Sequence, residues 1–221
     1  MVDLKELSEI LQKGDAEKVG ELTTQALEDG FSPHQVLSEG LIAGMDVVGM
    51  KFKEGELFLP EVLSVARAMH AGLNVLRPKL AETGAKLVGK VVLGTVKGDL
   101  HDIGKNLVGM MLEGAGFDVK DLGIDVPPEK FVDAAREPDV DIVGMSALLS
   151  TTMPKMRETI NVLHEAGLTP GIKVMVGGAP VTRKYAEEIG ADGYGDNAAS
   201  AVDVARRLVG KSSTISWRKE K

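Results

Sequence analysis

His101 is the residue whose surroundings in this sequence best suit chemistry. It follows an apolar run, KVVLGTV (90–96), and has Asp99 and Asp102 beside it and Gly104 three residues further on. A lone histidine in a loop is usually idle, but a nearby carboxylate can orient the imidazole ring and raise its basicity as a metal ligand. A general-base role is an alternative, although no nucleophile accompanies this histidine.

The rest of the sequence restricts the kind of metal that His101 could bind. The chain has no cysteine, and its other histidines have no ligand-like spacing to His101, which argues against zinc. A single histidine suits a metal in a macrocycle that already supplies four equatorial nitrogens. The lack of cysteine also excludes disulfides, thiolate-bound iron–sulfur clusters and a cysteine nucleophile.

The charge balance narrows the classes of partner. The 221 residues have a formal net charge of −7, with both signs mixed along the chain, whereas nucleic-acid binding needs a basic face. No apolar window is long enough to span a membrane, and the mixed-charge start MVDLKELSEI does not resemble a signal peptide. We therefore expect a cytoplasmic protein that binds neither nucleic acid nor membrane.

The first part of the chain has apolar residues at helical spacing. Four helices are predicted, within residues 4–11, 15–29, 32–51 and 60–78. The segment Ser32–Gln35 reads as the start of the third helix, with a capping serine, proline at the first helical position and glutamine three residues after the cap. Pro78 is predicted to end the fourth helix. Residues 1–84 are thus expected to form a four-helix bundle domain.

From residue 85 onward, short apolar runs alternate with helical stretches. Strands are predicted at 90–96, 117–123, 141–146, 173–178 and 192–195, and helices near 103–114, 128–136, 154–166, 182–189 and 197–209. This alternation predicts a flavodoxin- or Rossmann-like α/β domain over residues 85–221, with a five-stranded parallel sheet in the order 2-1-3-4-5. The fold class is therefore α+β with two domains.

Three loops should meet at one edge of this sheet. They follow the first, third and fourth strands, at 97–106, 146–153 and 177–180, and ligands of open parallel sheets bind beyond the carboxyl ends of strands. Gly177 and Gly178 could be ordinary turn residues, or could let a bulky ligand approach the backbone. Thr152, just before Met153-Pro154, is the natural N-cap of the next helix. No phosphate-loop pattern is present.

The pattern of these residues resembles the B12-binding signature DxHxxG…SxL…GG. It is matched by Asp99-x-His101-x-x-Gly104, by Ser146-x-Leu148 and by Gly177-Gly178, with 41 residues between Gly104 and Ser146 and 28 between Leu148 and Gly177. The segment 44–69, GMDVVGMKFKEGELFLPEVLSVARAM, is similar to the helical cap that precedes the B12 domain in methionine synthase and in small corrinoid proteins of methyl-transfer systems.

The resemblance implies a cobalamin or related corrinoid bound base-off, with His101 as the lower ligand of cobalt. Asp99 would then hold the other ring nitrogen, and Thr152 would extend the relay at a place where the family often has serine. The implied residues that contact the nucleotide tail or lie near the cobalt ligand are Asp102, Ile103, Gly104, Ser146, Leu148, Ser150, Gly177 and Gly178. The cap candidates are Phe58, Leu59, Val62 and Met69, each of which could equally be bundle core.

The implied function is that of a methyl carrier without catalytic residues of its own. A donor-specific methyltransferase would load the cofactor, and an acceptor methyltransferase would pass the methyl group to folate or a thiol. The alternatives are a B12-dependent regulator or light sensor and an adenosylcobalamin mutase subunit. Methanol, methylamines, betaines and methoxyarenes all remain open as donors.

Overall fold

Helices make up the first part of the chain. The computed structural model describes residues 2–83, 87–169 and 171–210. The first elements are α1 (Leu4–Gln12), α2 (Ala16–Glu28), α3 (Pro33–Gln35), a π-helical segment (Val36–Ile42), α4 (Ala43–Lys53) and α5 (Leu59–Thr83). Because α3, the π-helical segment and α4 follow one another without a break, the chain forms four continuous helical segments here, as predicted.

Local capping and close packing explain these helices. The Ser32 hydroxyl accepts a hydrogen bond from the Gln35 N–H, and the Gln35 side chain accepts one from the Ser32 N–H, which is the predicted capping box. Fully buried leucines, including Leu7 and Leu41, form the core of the bundle. Gly40 permits the close approach of α1, since a Cβ there would lie 2.7 Å from Leu7 Cδ2.

The prediction that Pro78 ends the last of these helices was wrong. Helix α5 continues to Thr83 with Pro78 inside it. Pro78 lies on the exposed side, whereas Leu73, Leu76 and Leu80 continue the buried face. The apolar packing of this face outweighs the single backbone hydrogen bond that a proline removes.

The second part of the chain alternates strands and helices. The elements are β1 (Lys90–Thr95), α6 (Ile103–Gly114), β2 (Asp118–Asp121), α7 (Pro128–Ala135), β3 (Val140–Ser146), α8 (Pro154–Glu165), β4 (Lys173–Gly177), α9 (Arg183–Glu188), β5 (Gly193–Gly195) and α10 (Ala198–Leu208). The sheet has five strands in the order β2-β1-β3-β4-β5. The pairs β1/β3, β3/β4 and β4/β5 are parallel. The predicted fold class and strand order are confirmed.

The chain folds into two compact units, and each unit is built from two separate stretches of sequence. The helical unit comprises the residues up to Leu87 together with Asn106–Val119, and the α/β unit comprises Val88–Lys105 and the residues from Lys120 onward. In the helical unit, Glu113 pairs with His70 at 3.1 Å and with Arg77 at 3.4 Å. The Glu113 carboxylate hydrogen-bonds His70 and raises the pKa of that imidazole. The predicted boundary between residues 84 and 85 lies outside the described residues.

The core of the α/β unit lies where apolar strand residues meet helices. Phe131 of α7, Val143 of β3 and Leu163 of α8 are fully buried in one cluster. Gly94 of β1 makes room for it, since a Cβ there would lie 2.8 Å from Phe131 Cζ. Within the described residues, none of the helices combines the length and the apolar character that crossing a bilayer requires.

Candidate cofactor site

The register of the strands places the last residues before the predicted loops side by side in the sheet. Thr95 pairs with Ser146, Ser146 with Gly177, and Gly177 with Gly195. These four small residues form one row near the carboxyl ends of β1, β3, β4 and β5. The loops that follow β1, β3 and β4 therefore start side by side, as expected for a ligand site of an open parallel sheet.

Asp99 is the centre of the hydrogen bonding in this site. Its side chain is completely buried. Oδ2 accepts from the Leu148 N–H at 2.8 Å, the Leu149 N–H at 3.1 Å and the Thr152 hydroxyl at 2.7 Å. Oδ1 accepts from the His101 N–H at 3.1 Å and lies 2.7 Å from His101 Nδ1. A buried charge needs such partners, and here each carboxylate oxygen has several.

These contacts determine the protonation state of Asp99. Burial by itself raises the pKa of the carboxyl group, but hydrogen bonds from Thr152, His101 and Leu148 outweigh burial and hold the pKa well below its ordinary value. Asp99 is therefore a carboxylate near neutral pH. It also closes a turn with the His101 N–H, so the turn-forming and ring-orienting roles coexist.

His101 presents one nitrogen to the carboxylate and the other outward. Because an ionised carboxylate only accepts, Nδ1 is the protonated nitrogen in the Asp99 bond, which leaves the Nε2 lone pair to bind a metal. The His101 side chain is 50% exposed, although its Nδ1 lies against the buried carboxylate. The backbone is fixed as well, since the Thr95 hydroxyl donates to the His101 carbonyl at 2.8 Å.

The structure gives Thr152 a different role from the predicted helix cap. Met153 is the N-cap residue of α8, and no side chain caps this helix. The Thr152 hydroxyl instead contacts Asp99 and the Leu149 carbonyl, the latter at 2.8 Å. The capping prediction was wrong because α8 begins one residue later than a cap at Thr152 requires, which places Met153 and not Thr152 at the N-cap position.

Apolar side chains near the strand ends are unusually exposed. Ile103 and Leu148, both predicted site residues, are 74% and 44% exposed. Leu100, Leu149 and Ile124 are also exposed, and the sequence reasoning did not select them. Exposed apolar residues on the loops around a half-exposed histidine suit the contact surface of a large, mainly apolar ligand.

The last residue of β4, Gly177, and the next residue, Gly178, are glycines because neighbouring backbone atoms leave no room for a side chain. A Cβ on Gly178, whose φ is +125°, would lie 1.9 Å from the Ala147 carbonyl oxygen, and a Cβ on Gly177 would lie 2.8 Å from the Gly195 oxygen. The glycines therefore allow the loops after β3, β4 and β5 to pack closely. Close approach of a ligand at these positions stays a prediction.

The remaining predicted residues fall into two groups. Asp102, Gly104 and Ser150 are exposed and Ser146 is half-buried. Gly104 lies in the first turn of α6, and the other three lie on loops or at a strand end of this edge. The cap candidates Phe58, Leu59, Val62 and Met69 lie in the helical unit. Phe58 and Leu59 are 69% and 36% exposed, whereas Val62 and Met69 are fully buried, as bundle-core residues are.

Sequence reasoning missed Asp125 and Lys105. Asp125 hydrogen-bonds the loop of His101, and the Lys105 amine is almost fully buried against Asp121. The φ of Asp125 is +52°, a conformation rare for residues other than glycine, asparagine and aspartate. The GIDVP segment around Asp125 would have been the signal, since aspartate is common in such turns.

The donor set at this edge suits a metal that brings most of its own ligands. Within the described part of the chain, no three histidine or carboxylate side chains cluster as metal ligands. One nitrogen donor, such as the one that His101 offers at this edge, is what a metal in a macrocycle requires from the protein.

Two family models and several curated relatives match most of this chain. Residues 89–203 match the family model described as the B12 binding domain, and residues 3–77 match a second model with the same description. A corrinoid protein of Desulfitobacterium hafniense (strain Y51) is 46% identical over 211 residues, covering 94% of this chain and 98% of the relative. Dimethylamine corrinoid protein 2 of Methanosarcina acetivorans is 45% identical, covering 93% and 95%.

Solved structures give the same result. A cobalamin-binding protein of Desulfitobacterium hafniense DCB-2 is 34% identical with a TM-score of 0.77, covering 94% of this chain and 99% of that chain. A chain of the methanol:cobalamin methyltransferase complex of Methanosarcina barkeri is 32% identical with a TM-score of 0.82, covering 94% and 79%. The chain therefore belongs to the B12-binding corrinoid proteins of methyltransferase systems.

Proposed function

We propose that this chain is a methyl carrier that binds a corrinoid base-off, with Nε2 of His101 as the lower ligand of cobalt. The observation that carries the proposal is the 2.7 Å contact between His101 Nδ1 and the buried carboxylate of Asp99. A half-exposed imidazole whose inner nitrogen is fixed in this way is preorganised to bind a metal through its outer nitrogen.

The residues of the α/β unit would hold the cofactor in distinct ways. Ser146, Leu148, Gly177 and Gly178 would line the slot for the nucleotide tail, at the level where four strands have only small side chains. Exposed apolar residues such as Ile103 would contact the macrocycle. The Asp99–Thr152 contact would keep the imidazole in one orientation.

The cofactor, when bound, would supply the cobalt centre on which a methyl group is carried. The chain itself would be non-catalytic, exchanging the methyl group with a donor-specific and an acceptor methyltransferase, the latter acting on folate or a thiol. Two features of the relatives support this: several are named for dimethylamine or trimethylamine, and one solved relative lies in a methyltransferase complex.

The ligand assignment is tested by His101→Ala. We expect the absorption spectrum of the bound cofactor to change to that of a form without a histidine ligand, while tail contacts retain part of the cofactor. His164→Ala is the matched control, because His164 is exposed in the last turn of α8, and its spectrum should equal that of the wild type. A wild-type spectrum in His101→Ala would refute the assignment.

Methyl transfer is tested separately from ligation. The reduced, cofactor-loaded protein should take up isotope-labelled methyl from methyl iodide and release it to an acceptor methyltransferase of a related system. A loaded protein that takes up no label would contradict the carrier role, and would favour the regulator or mutase alternatives.

A further inference from the structure

The segment 122–127, which joins β2 to α7, makes a set of contacts that the proposed function does not use. The Asp125 Oδ1 accepts from the Gly98 N–H at 2.7 Å, and Oδ2 accepts from Lys97 Nζ at 3.1 Å. The Asp125 N–H in turn donates to the Asp99 carbonyl at 3.0 Å. One residue of this segment therefore bonds three consecutive residues just before His101.

The residues just after the His101 loop are also attached to the β2 side of the sheet. Lys105, four residues after His101, has a side chain only 1% exposed, and its amine lies 2.5 Å from Asp121 Oδ2 at the end of β2. Burying an amine is costly without a charged partner, so this pair fixes the first turn of α6 against β2.

The strand order explains why these contacts matter. In the order β2-β1-β3, the loop after β1 has a neighbour on each side. The β3 side bonds the Asp99 side chain through Leu148 and Thr152. The β2 side bonds the backbone of Gly98 and Asp99 through Asp125. A loop held from one side alone would keep freedom to pivot about that attachment.

The backbone of Asp125 lies in the left-handed region, with φ at +52°. Glycine adopts this conformation without strain, and aspartate and asparagine tolerate it better than other L residues. The hydrogen bond from Gly98 and the nearby Lys97 amine hold the pKa of the Asp125 carboxyl below its ordinary value, so the group is ionised at neutral pH.

We propose that Asp125 is a positioning residue for the proposed cobalt ligand, fixing the backbone of the His101 loop from the β2 side. The inference rests on the proposed function and adds a residue outside the Asp99–His101–Thr152 contact. Without the Asp125 side chain, only the backbone bond to the Asp99 carbonyl would remain of the three bonds that Asp125 makes to this loop. The loop would then sample orientations in which His101 no longer meets the metal, although Asp99 and His101 stay bonded to each other.

The test compares Asp125→Gly with Asp125→Asn in the full-length chain. Glycine relieves the backbone strain but removes the acceptor for Gly98, whereas asparagine tolerates the left-handed conformation and keeps an oxygen in place. We expect the ratio of histidine-ligated to unligated cofactor, read from the absorption spectrum at fixed pH, to fall about tenfold in Asp125→Gly, the low end for partners of metal-bound histidines. Asp125→Asn should remain within about twofold of the wild type, because it loses only an exposed ion pair.

A second readout needs no cofactor. In the wild-type chain, hydrogen exchange followed by NMR should show a protected Gly98 amide, and this protection should be lost in Asp125→Gly and kept in Asp125→Asn. An unprotected Gly98 amide in the wild type, or an unchanged ligation ratio in a folded Asp125→Gly, would overturn the proposal. His101→Ala measured alongside separates the two ideas: if it leaves the wild-type spectrum unchanged, the ligand assignment fails instead.

Discussion

At the scale of single residues, Asp99 shows how a buried charge can stabilise the fold and also hold a neighbouring imidazole ring in place. Its two oxygens accept from backbone amides, a hydroxyl and an imidazole that lie up to 53 residues away in sequence. The charge is stable in the interior because it is fully hydrogen-bonded, and the same bonds fix its neighbours. The hydrogen bonds that stabilise this carboxylate in the folded protein therefore also fix the orientation of His101.

The depressed pKa of Asp99 predicts a pH-dependent stability of the cofactor-free protein. A carboxyl group whose pKa is lowered on folding stabilises the fold above its unfolded pKa, about 3.9, and this contribution is lost as the pH falls towards the folded value. We expect Asp99→Asn to lower the free energy of unfolding by roughly 2–4 kcal/mol at pH 7. Urea titrations from pH 7 to pH 3 should show this difference shrinking below about pH 4.

Asp133→Asn is the control for that titration, because Asp133 has a side chain 77% exposed on α7. Its unfolding free energy should follow the wild type at every pH. A constant difference between wild type and Asp99→Asn across the range would show that ionisation of Asp99 makes no contribution.

The hydroxyl of Thr152 makes a second residue-scale prediction. Thr152→Val keeps the shape but removes the donor to Asp99, and a hydrogen bond to a charged group contributes about 1.5–3 kcal/mol. Thr152→Ser keeps the donor and should lose less than about 1.5 kcal/mol, from one deleted methyl group. Urea unfolding of both variants provides the measurement, and equal losses would mean that the bond to Asp99 is not what Thr152 contributes.

At the scale of secondary structure, local patterns predicted most elements within one or two residues. The strand predicted at 90–96 is Lys90–Thr95, and that predicted at 173–178 is Lys173–Gly177. Apolar runs and capping residues are local signals, so they can be read in order along the chain. The convergence of the loops followed from the strand order, which the number and alternation of the strands made predictable.

What escaped prediction depends on contacts that sequence spacing does not encode. The bond from Gly98 to Asp125 joins residues 27 apart through an unusual backbone conformation. Helix α5 passes through Pro78 because of what its opposite face packs against, which local propensity omits. The Asp99–Thr152 contact was expected only through the family resemblance, since 53 residues separate the pair.

Helix α5 provides the element-scale prediction. If the helix continues past residue 78, Pro78→Ala restores one backbone hydrogen bond at an exposed position and should stabilise the protein by about 1–2 kcal/mol, after allowance for greater freedom of the unfolded chain. Thermal and urea unfolding give the measurement, with Lys79→Ala, an exposed neighbour, as the control. A neutral or destabilising Pro78→Ala would indicate that the helix ends at the proline.

At the scale of the whole molecule, the helical unit is discontinuous in sequence. Asn106–Val119 belong to it, although β1 and the His101 loop precede them in the α/β unit. This segment brings Glu113 to His70 and Arg77, and Gly114 against Met45, where a Cβ would lie 2.5 Å from Met45 Cε. The first 87 residues thus lack part of their own packing.

Fragments of the chain test this division. A fragment of residues 1–119 should unfold at a higher urea concentration than one of residues 1–87, because only the longer fragment contains the contacts of Glu113 and Gly114. Residues 1–105 are the matched control, since they add length without that segment and should behave like 1–87. Identical midpoints for all three fragments would argue against the discontinuous unit.

The discontinuity also has a consequence for the order of events during synthesis. A ribosome completes β1 and the His101 loop before it makes the last segment of the helical unit, because residues 88–105 precede Asn106–Val119. The helices that are synthesised first therefore remain incompletely packed while β1, the first strand of the α/β unit, is synthesised. Nascent chains arrested between residues 87 and 119 should therefore be the ones most exposed to chaperones and proteases.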